Sequence, residues 1–175
     1  MYIDPEGIVW VGAFQNLHRI DGDEWSSYNR ATVTESDFPS GFIDGLAMDK
    51  TGALWIGSSN GEICRFDPTT ELCTAYFKEA EGMATGPLTG LRTDDKERVY
   101  YSTESDGISV LEGETWRQLT TSDGYLAGNQ VRDLAQDGGG MVWIATENGL
   151  QRSTRAPAWS ISFSRPTIAG FPMST

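Results

Sequence analysis

The chain has 175 residues, one histidine, two cysteines and a net charge of -12. It is about the size of one domain, and its negative field repels phosphate backbones and anionic lipid, so neither nucleic acid nor membrane insertion is expected. Twenty glycines and six tryptophans suit tightly turned, aromatic-packed strands better than long helices, and no apolar run reaches the roughly 18 residues of a membrane span.

From the amino terminus, residues 1–3 form a short apolar stretch before Asp4-Pro-Glu-Gly-Ile-Val-Trp-Val-Gly12. Strands are predicted at 9–12, 17–20 and 24–28, and a linker rich in Ser, Thr, Pro and acidic residues covers 31–41. The second unit opens with a strand at 43–48 and repeats the motif as Asp49-Lys-Thr-Gly-Ala-Leu-Trp-Ile-Gly-Ser-Ser-Asn-Gly61. Its remaining strands are predicted at 54–57, 62–66 and 71–77. The third unit has strands at 88–93, 99–102, 107–111 and 115–119 around Asp94-Asp-Lys-Glu-Arg-Val-Tyr-Tyr-Ser102. The fourth has strands at 131–136, 142–145, 149–152 and 158–163 around Asp137-Gly-Gly-Gly-Met-Val-Trp-Ile-Ala145.

The aligned aspartates, Asp4, Asp49, Asp94 and Asp137, lie 45, 45 and 43 residues apart, and an aromatic follows each by six positions: Trp10, Trp55, Tyr100 and Trp143. A fixed period of this size marks a repeat architecture. The second strand of each unit is apolar or small on both faces, so it must be covered on both sides. Four-stranded antiparallel units at this period predict an all-β fold, a β-propeller with four blades of four strands. Glycines inside each unit argue against a helical repeat. The Asp-x-x-Gly segments read as turns in which the carboxylate accepts backbone N–H groups and glycine takes positive φ. The aromatics read as packing between blades rather than as a stacking ladder for a ligand.

The domain reading is one propeller or half-propeller over 1–175, with blades at about 1–30, 42–78, 87–120 and 129–165. Residues 166–175 include a candidate closing strand at 167–171, because an open blade edge leaves unpaired backbone groups. Three closures stay open: a four-bladed ring, a homodimer completing a larger ring, or a piece of a larger propeller. Gly12, Gly57, Ser102 and Ala145 place small groups at one equivalent position.

The string Leu54-Trp-Ile-Gly-Ser-Ser-Asn-Gly61, continued by Ile63-Cys-Arg-Phe-Asp67, resembles the two-component regulator propeller repeat. The fourth unit is similar from Asp137 to Arg152, and the first through Gly12 and again at Leu17-His-Arg-Ile-Asp21. The third departs from it, with Glu97 for the turn glycine, Tyr100 for tryptophan and Ser102 for glycine. The resemblance implies a sensor-type blade, periplasmic or extracellular, with saccharides as frequent inputs. A poorer likeness to streptogramin lyase blades implies a metal-assisted enzyme.

His18 has no Cys or His at metal-ligand spacing and reads as structural. Cys64 and Cys73 lie on consecutive strands. If the turn centres between Pro68 and Thr69 they face each other directly, either as a disulfide or as two reduced cysteines. Loops into the first strands and between the second and third strands share one face. There Asp44, Asn60, Glu104, Asp106, Arg132, Glu147 and Asn148 are the candidate ligand-binding residues, in a rim of negative potential suited to a cation or a polyhydroxylated ligand such as a saccharide. No catalytic residue, metal site or cofactor is assigned. The leading reading is a noncatalytic ligand-binding or sensor-type module. The alternatives are a self-assembling interaction propeller, or a metal-assisted lyase or hydrolase in which Asp44, Glu104, Asp106 and Glu147 converge on an ion. The amino-terminal residues carry no signal peptide pattern.

Overall fold

A computed structural model describes residues 1–33, 37–78, 80 and 82–153 of the chain. Its strands form four antiparallel sheets in chain order. The first contains β1 (Tyr2–Ile3), β2 (Val9–Gly12), β3 (Leu17–Asp21) and β4 (Glu24–Tyr28). The second contains β5 (Ile43–Met48), β6 (Leu54–Ser58), β7 (Glu62–Asp67) and β8 (Leu72–Lys78). The third contains β9 (Leu88–Thr93), β10 (Val99–Thr103), β11 (Ile108–Glu112) and β12 (Thr115–Leu119). In the fourth, β13 (Val131–Gln136), β14 (Val142–Thr146) and β15 (Gly149–Arg152) are described. The strands expected at 158–163 and 167–171 lie outside the described residues.

Sheets stack because successive side chains of each second strand point to opposite faces. In β6, Leu54 and Ile56 enter a cluster with Trp10, Leu17 and Tyr28 of the first sheet, whereas Trp55 enters one with Val99, Tyr101 and Trp116 of the third. In β10 the same alternation sends Tyr100 toward Val131, Leu134 and Ile144 of the fourth sheet. The repeated aromatic thus faces the following blade in each of the first three units. Trp143 is only partly buried, with the Arg152 guanidinium 5.4 Å from its ring centroid.

First strands stand side by side along the series, β5 against β9 and β9 against β13, while β2 meets β5. Close approach explains the small residues of the motif. A Cβ on Gly12 would collide with the backbone and side chain of Ile43, and one on Gly57 would press on Leu88. No contact of like extent joins the fourth sheet to the first among the described residues.

Two local expectations change. Glu71, read as opening the fourth strand, instead occupies the turn at φ 58°. Cys64 and Cys73 are joined by a disulfide, yet they are not directly opposite: Cys64 pairs with Tyr76 and Phe66 with Cys73, across a register shift between Arg65 and Phe66. Thr74 is the extra residue of that bulge. The cysteines are therefore diagonal neighbours, ordinarily about 7–8 Å apart, brought to a Cα separation of 5.7 Å.

Candidate functional site

The Asp-x-x-Gly turns lie at one end of the sheets and share one construction. In the first, Asp4 Oδ1 accepts the backbone N–H groups of Glu6 and Ile8, and Oδ2 accepts Trp10 Nε1–H at 3.1 Å. Asp49 does the same with Thr51, Ala53 and Trp55, and adds Arg65 Nε at 2.8 Å. Asp137 serves Gly139, Met141 and Trp143. In the third blade Asp94 accepts from Lys96, Arg98 and the Tyr100 hydroxyl. The six-residue interval between aspartate and aromatic is therefore a hydrogen bond that ties the turn to the packed ring.

Charge follows from these bonds. Burial pushes Asp49 up, but bonds from Thr51 and the Arg65 charge outweigh it and leave its pKa below the usual carboxylate value. Bonds from Trp143 and the turn backbone lower Asp137. Burial and the neighbouring Asp94 carboxylate raise the Tyr100 hydroxyl. A cavity of about 1120 Å³ opens at this end, lined among others by Asp4, Tyr28, Asp49, Lys50, Asp94 and Asp137. Its four turn carboxylates are occupied with structural bonds, so they are poor candidates for chemistry.

The opposite end carries the candidate ligand residues. Each loop there is fastened to the lead-in of a first strand: Ser59 N–H donates to Phe42 O, Glu104 N–H to Pro87 O and Glu147 N–H to Gln130 O, at 2.8, 3.0 and 3.1 Å. At the first blade, Ile43 N–H donates to Ala13 O and Phe14 bridges to Phe42. Phe14, Ser59, Glu104 and Glu147 thus occupy equivalent places on a common backbone and differ in chemistry. Phe14 and Phe42 are 54% and 55% exposed, with ring centroids 5.0 Å apart.

At the same end each of β5, β9 and β13 contains a bulge. Ile43 pairs with Ser58 and Gly45 with Gly57, leaving Asp44 as the extra residue. Thr89 is extra between Leu88 and Gly90, and Arg132 between Val131 and Asp133. A bulge kinks the strand and re-aims a side chain, and bulges concentrate beside active sites. This repeated bulge is what sequence reading missed. Its only trace is that pairing counted from the Asp-x-x-Gly turn fails to keep alternation at the far end of the first strand.

Three of the remaining candidates bond to the linker ahead of their own blade, and Arg132 bonds within its blade. Asn60 Nδ2–H donates to Ser40 Oγ, Asp106 Oδ2 accepts from Thr85, Arg132 donates to Gln130 Oε1, and Asn148 Nδ2–H donates to Ala127 O. The Glu147 carboxylate lies against Gly128, where a Cβ would strike it. Burial raises the Asp44 pKa. Among the described residues no group of three His, Cys, Asp or Glu is arranged to hold a metal. His18 Nδ1 lies 2.7 Å from Ser27 Oγ, an exposed cross-strand contact.

Residues 125–148, the lead-in and core of the fourth blade, match the family model of the two component regulator propeller. Solved propellers extend the likeness over most of the chain. The extracellular domain of the hybrid two component system BT3049 from B. thetaiotaomicron superposes with a TM-score of 0.66 at 19% identity, covering 86% of this chain and 20% of that one. The extracellular domain of the one component system BT4673 from the same organism gives 0.66 at 18%, covering 94% and 24%. A catalytically inactive virginiamycin B lyase from Staphylococcus aureus with Quinupristin gives 0.68 at 16%, covering 96% and 55%. The present propeller therefore spans a fifth to a quarter of the first two and about half of the lyase. At these identities the likeness concerns the fold. No curated protein sequence matches the chain.

Proposed function

We propose that this propeller is a noncatalytic, ligand-binding module of the sensor type, taking a small polar ligand at the loop end of its first strands. One observation carries the reading. Three consecutive blades build the same bulge at the same height and fill it with unlike residues, Asp44, Thr89 and Arg132. A constant backbone presenting variable side chains suits recognition better than catalysis, which would require groups converging on one reacting atom. The likeness to extracellular domains of two component systems and the Cys64–Cys73 disulfide, a bond that persists in oxidising compartments, both support an extracellular or periplasmic setting.

The test is thermal stability with small polar compounds, saccharides included, for the wild type and a variant carrying Asp44→Asn and Arg132→Gln. Ligand at one hundred times its Kd adds about 2.7 kcal/mol, which raises Tm by roughly 5–10 °C for a domain of this size. The variant should lose that rise, and the compound should be recovered chemically unchanged. A rise that persists in the variant places the ligand elsewhere, and a transformed compound replaces the sensor reading with an enzyme.

A further inference from the structure

Asp44 and Arg132 occupy the same bulge position two blades apart, with Thr89 between them. Asp44 has no hydrogen bond or ion pair among the described residues, so its carboxylate is open to an external cation. Arg132 is exposed and makes a neutral contact with Gln130 Oε1. The adjacent Asp133 turns one carboxylate oxygen to the Leu134 N–H. Arg30 and Lys78, also at this end, both pair with Glu62. Among the described residues the mouth therefore offers the Asp44 carboxylate and the Arg132 guanidinium at equivalent bulges, with the unpaired carboxylates of Glu104 and Glu147 on the neighbouring loops. A guanidinium presents a planar fork suited to a carboxylate.

We propose that the loop end binds a short peptide with free termini, its ammonium on Asp44 and its carboxylate on Arg132. This deepens the loop-end reading and rests on it. The first strands β5 and β9, and β9 and β13, approach to within 8 Å between Cα atoms; two such steps, shortened by the reach of two side chains, match an extended peptide of about two to four residues at roughly 3.3–3.6 Å each. Thr89 lies between the charges. Its hydroxyl is shared with Ser102 at 3.0 Å, and a hydroxyl with two lone pairs and one hydrogen has capacity for a backbone group of the ligand as well. Beside Asp44 the exposed Phe14–Phe42 pair provides an apolar surface for the first side chain, with ring faces that also favour a cation. A neutral saccharide would leave both ionic groups without counter-charge.

Calorimetry with tetra-alanine, its N-acetyl form, its C-terminal amide and maltotetraose separates the possibilities, using the whole chain. The free peptide should bind about 10- to 100-fold more tightly than either blocked form, the range of one charge-assisted hydrogen bond. Asp44→Asn should remove the preference over the N-acetyl form alone, and Arg132→Gln the preference over the amide alone. Both positions are exposed, and an unchanged melting temperature without ligand checks that each variant folds. Equal binding of free and blocked peptides, or variants that lose both preferences together, overturns the assignment. Binding of maltotetraose but not tetra-alanine, lost with Asp44→Asn or Arg132→Gln, overturns the peptide and leaves the loop-end site standing. If no probe binds, the peptide assignment falls, and the loop-end reading is decided by the thermal screen with other small polar compounds.

Discussion

In the second blade the guanidinium beside the turn aspartate comes from the third strand, Arg65 opposite Trp55. The third blade has Val110 at that place, opposite Tyr100, and the charge arrives instead from Arg98 within the turn, where it is almost wholly buried with Asp94. Removing one partner of such a pair leaves an uncompensated buried charge, so Asp94→Ala is expected to destabilise by about 3–5 kcal/mol. Denaturant titration of Asp94→Ala, Arg98→Met and the double variant measures it: the double variant should recover much of the loss, and additive losses would show that the pair is not coupled. The same turn holds Glu97 at φ 64°, where the first, second and fourth use Gly7, Gly52 and Gly140. Since a left-handed residue with a Cβ costs roughly 1–2 kcal/mol, Glu97→Gly should stabilise by about 1 kcal/mol, partly offset by greater freedom of the unfolded chain. A lower melting temperature for Glu97→Gly would mean that its side chain does more than occupy the turn.

At the scale of elements, the bulges decide what the strands present. In β7 and β8 a bulge at Thr74 brings two diagonal cysteines into bonding range. The closed loop is short, so chain entropy predicts about 2–3 kcal/mol from the bond. Intact mass before and after reduction should differ by two hydrogens, with no thiol alkylated beforehand, and reduction should lower Tm. Immediate alkylation of both cysteines would refute the bond in solution. In the first strands, the residue after the bulge is Gly45 or Gly90, where a Cβ would press on Leu88 and Leu91, or on Leu134, of the next blade. In β13 the corresponding residue is Asp133, which is exposed. Alternation and turn chemistry made the strands legible in the sequence. The bulges were not legible, because one extra residue near a strand end leaves the local composition unchanged.

Across the whole molecule, acid response gathers at carboxylates that link segments. Glu62 is buried, which pushes its pKa up. Bonds from the Ser40 N–H and hydroxyl, Lys78 and Tyr76 outweigh burial and hold it below its ordinary value of 4.5. Asp49 is likewise lowered on balance. A depressed folded-state pKa contributes stability above the unfolded value, lost as pH falls through the folded one. Tm is therefore expected to fall progressively below about pH 4.5, and Glu62→Gln should start lower at neutral pH and decline less steeply. Parallel decline of variant and wild type would remove Glu62 from this account. The candidate site belongs to this scale too, since Asp44, Thr89 and Arg132 come from three different blades.

The sequence by itself determined the repeat, the strand order and the turns. These rest on alternation and on hydrogen bonds between residues two to six positions apart, such as Asp137 with Gly139, Met141 and Trp143. Only the tertiary structure decided the bulge positions, the diagonal disulfide and the source of the guanidinium beside each turn aspartate. Those depend on how closely one sheet packs on the next, as at Gly12 against Ile43 and Gly90 against Leu134, and such contacts between residues far apart in the chain leave no local period to read.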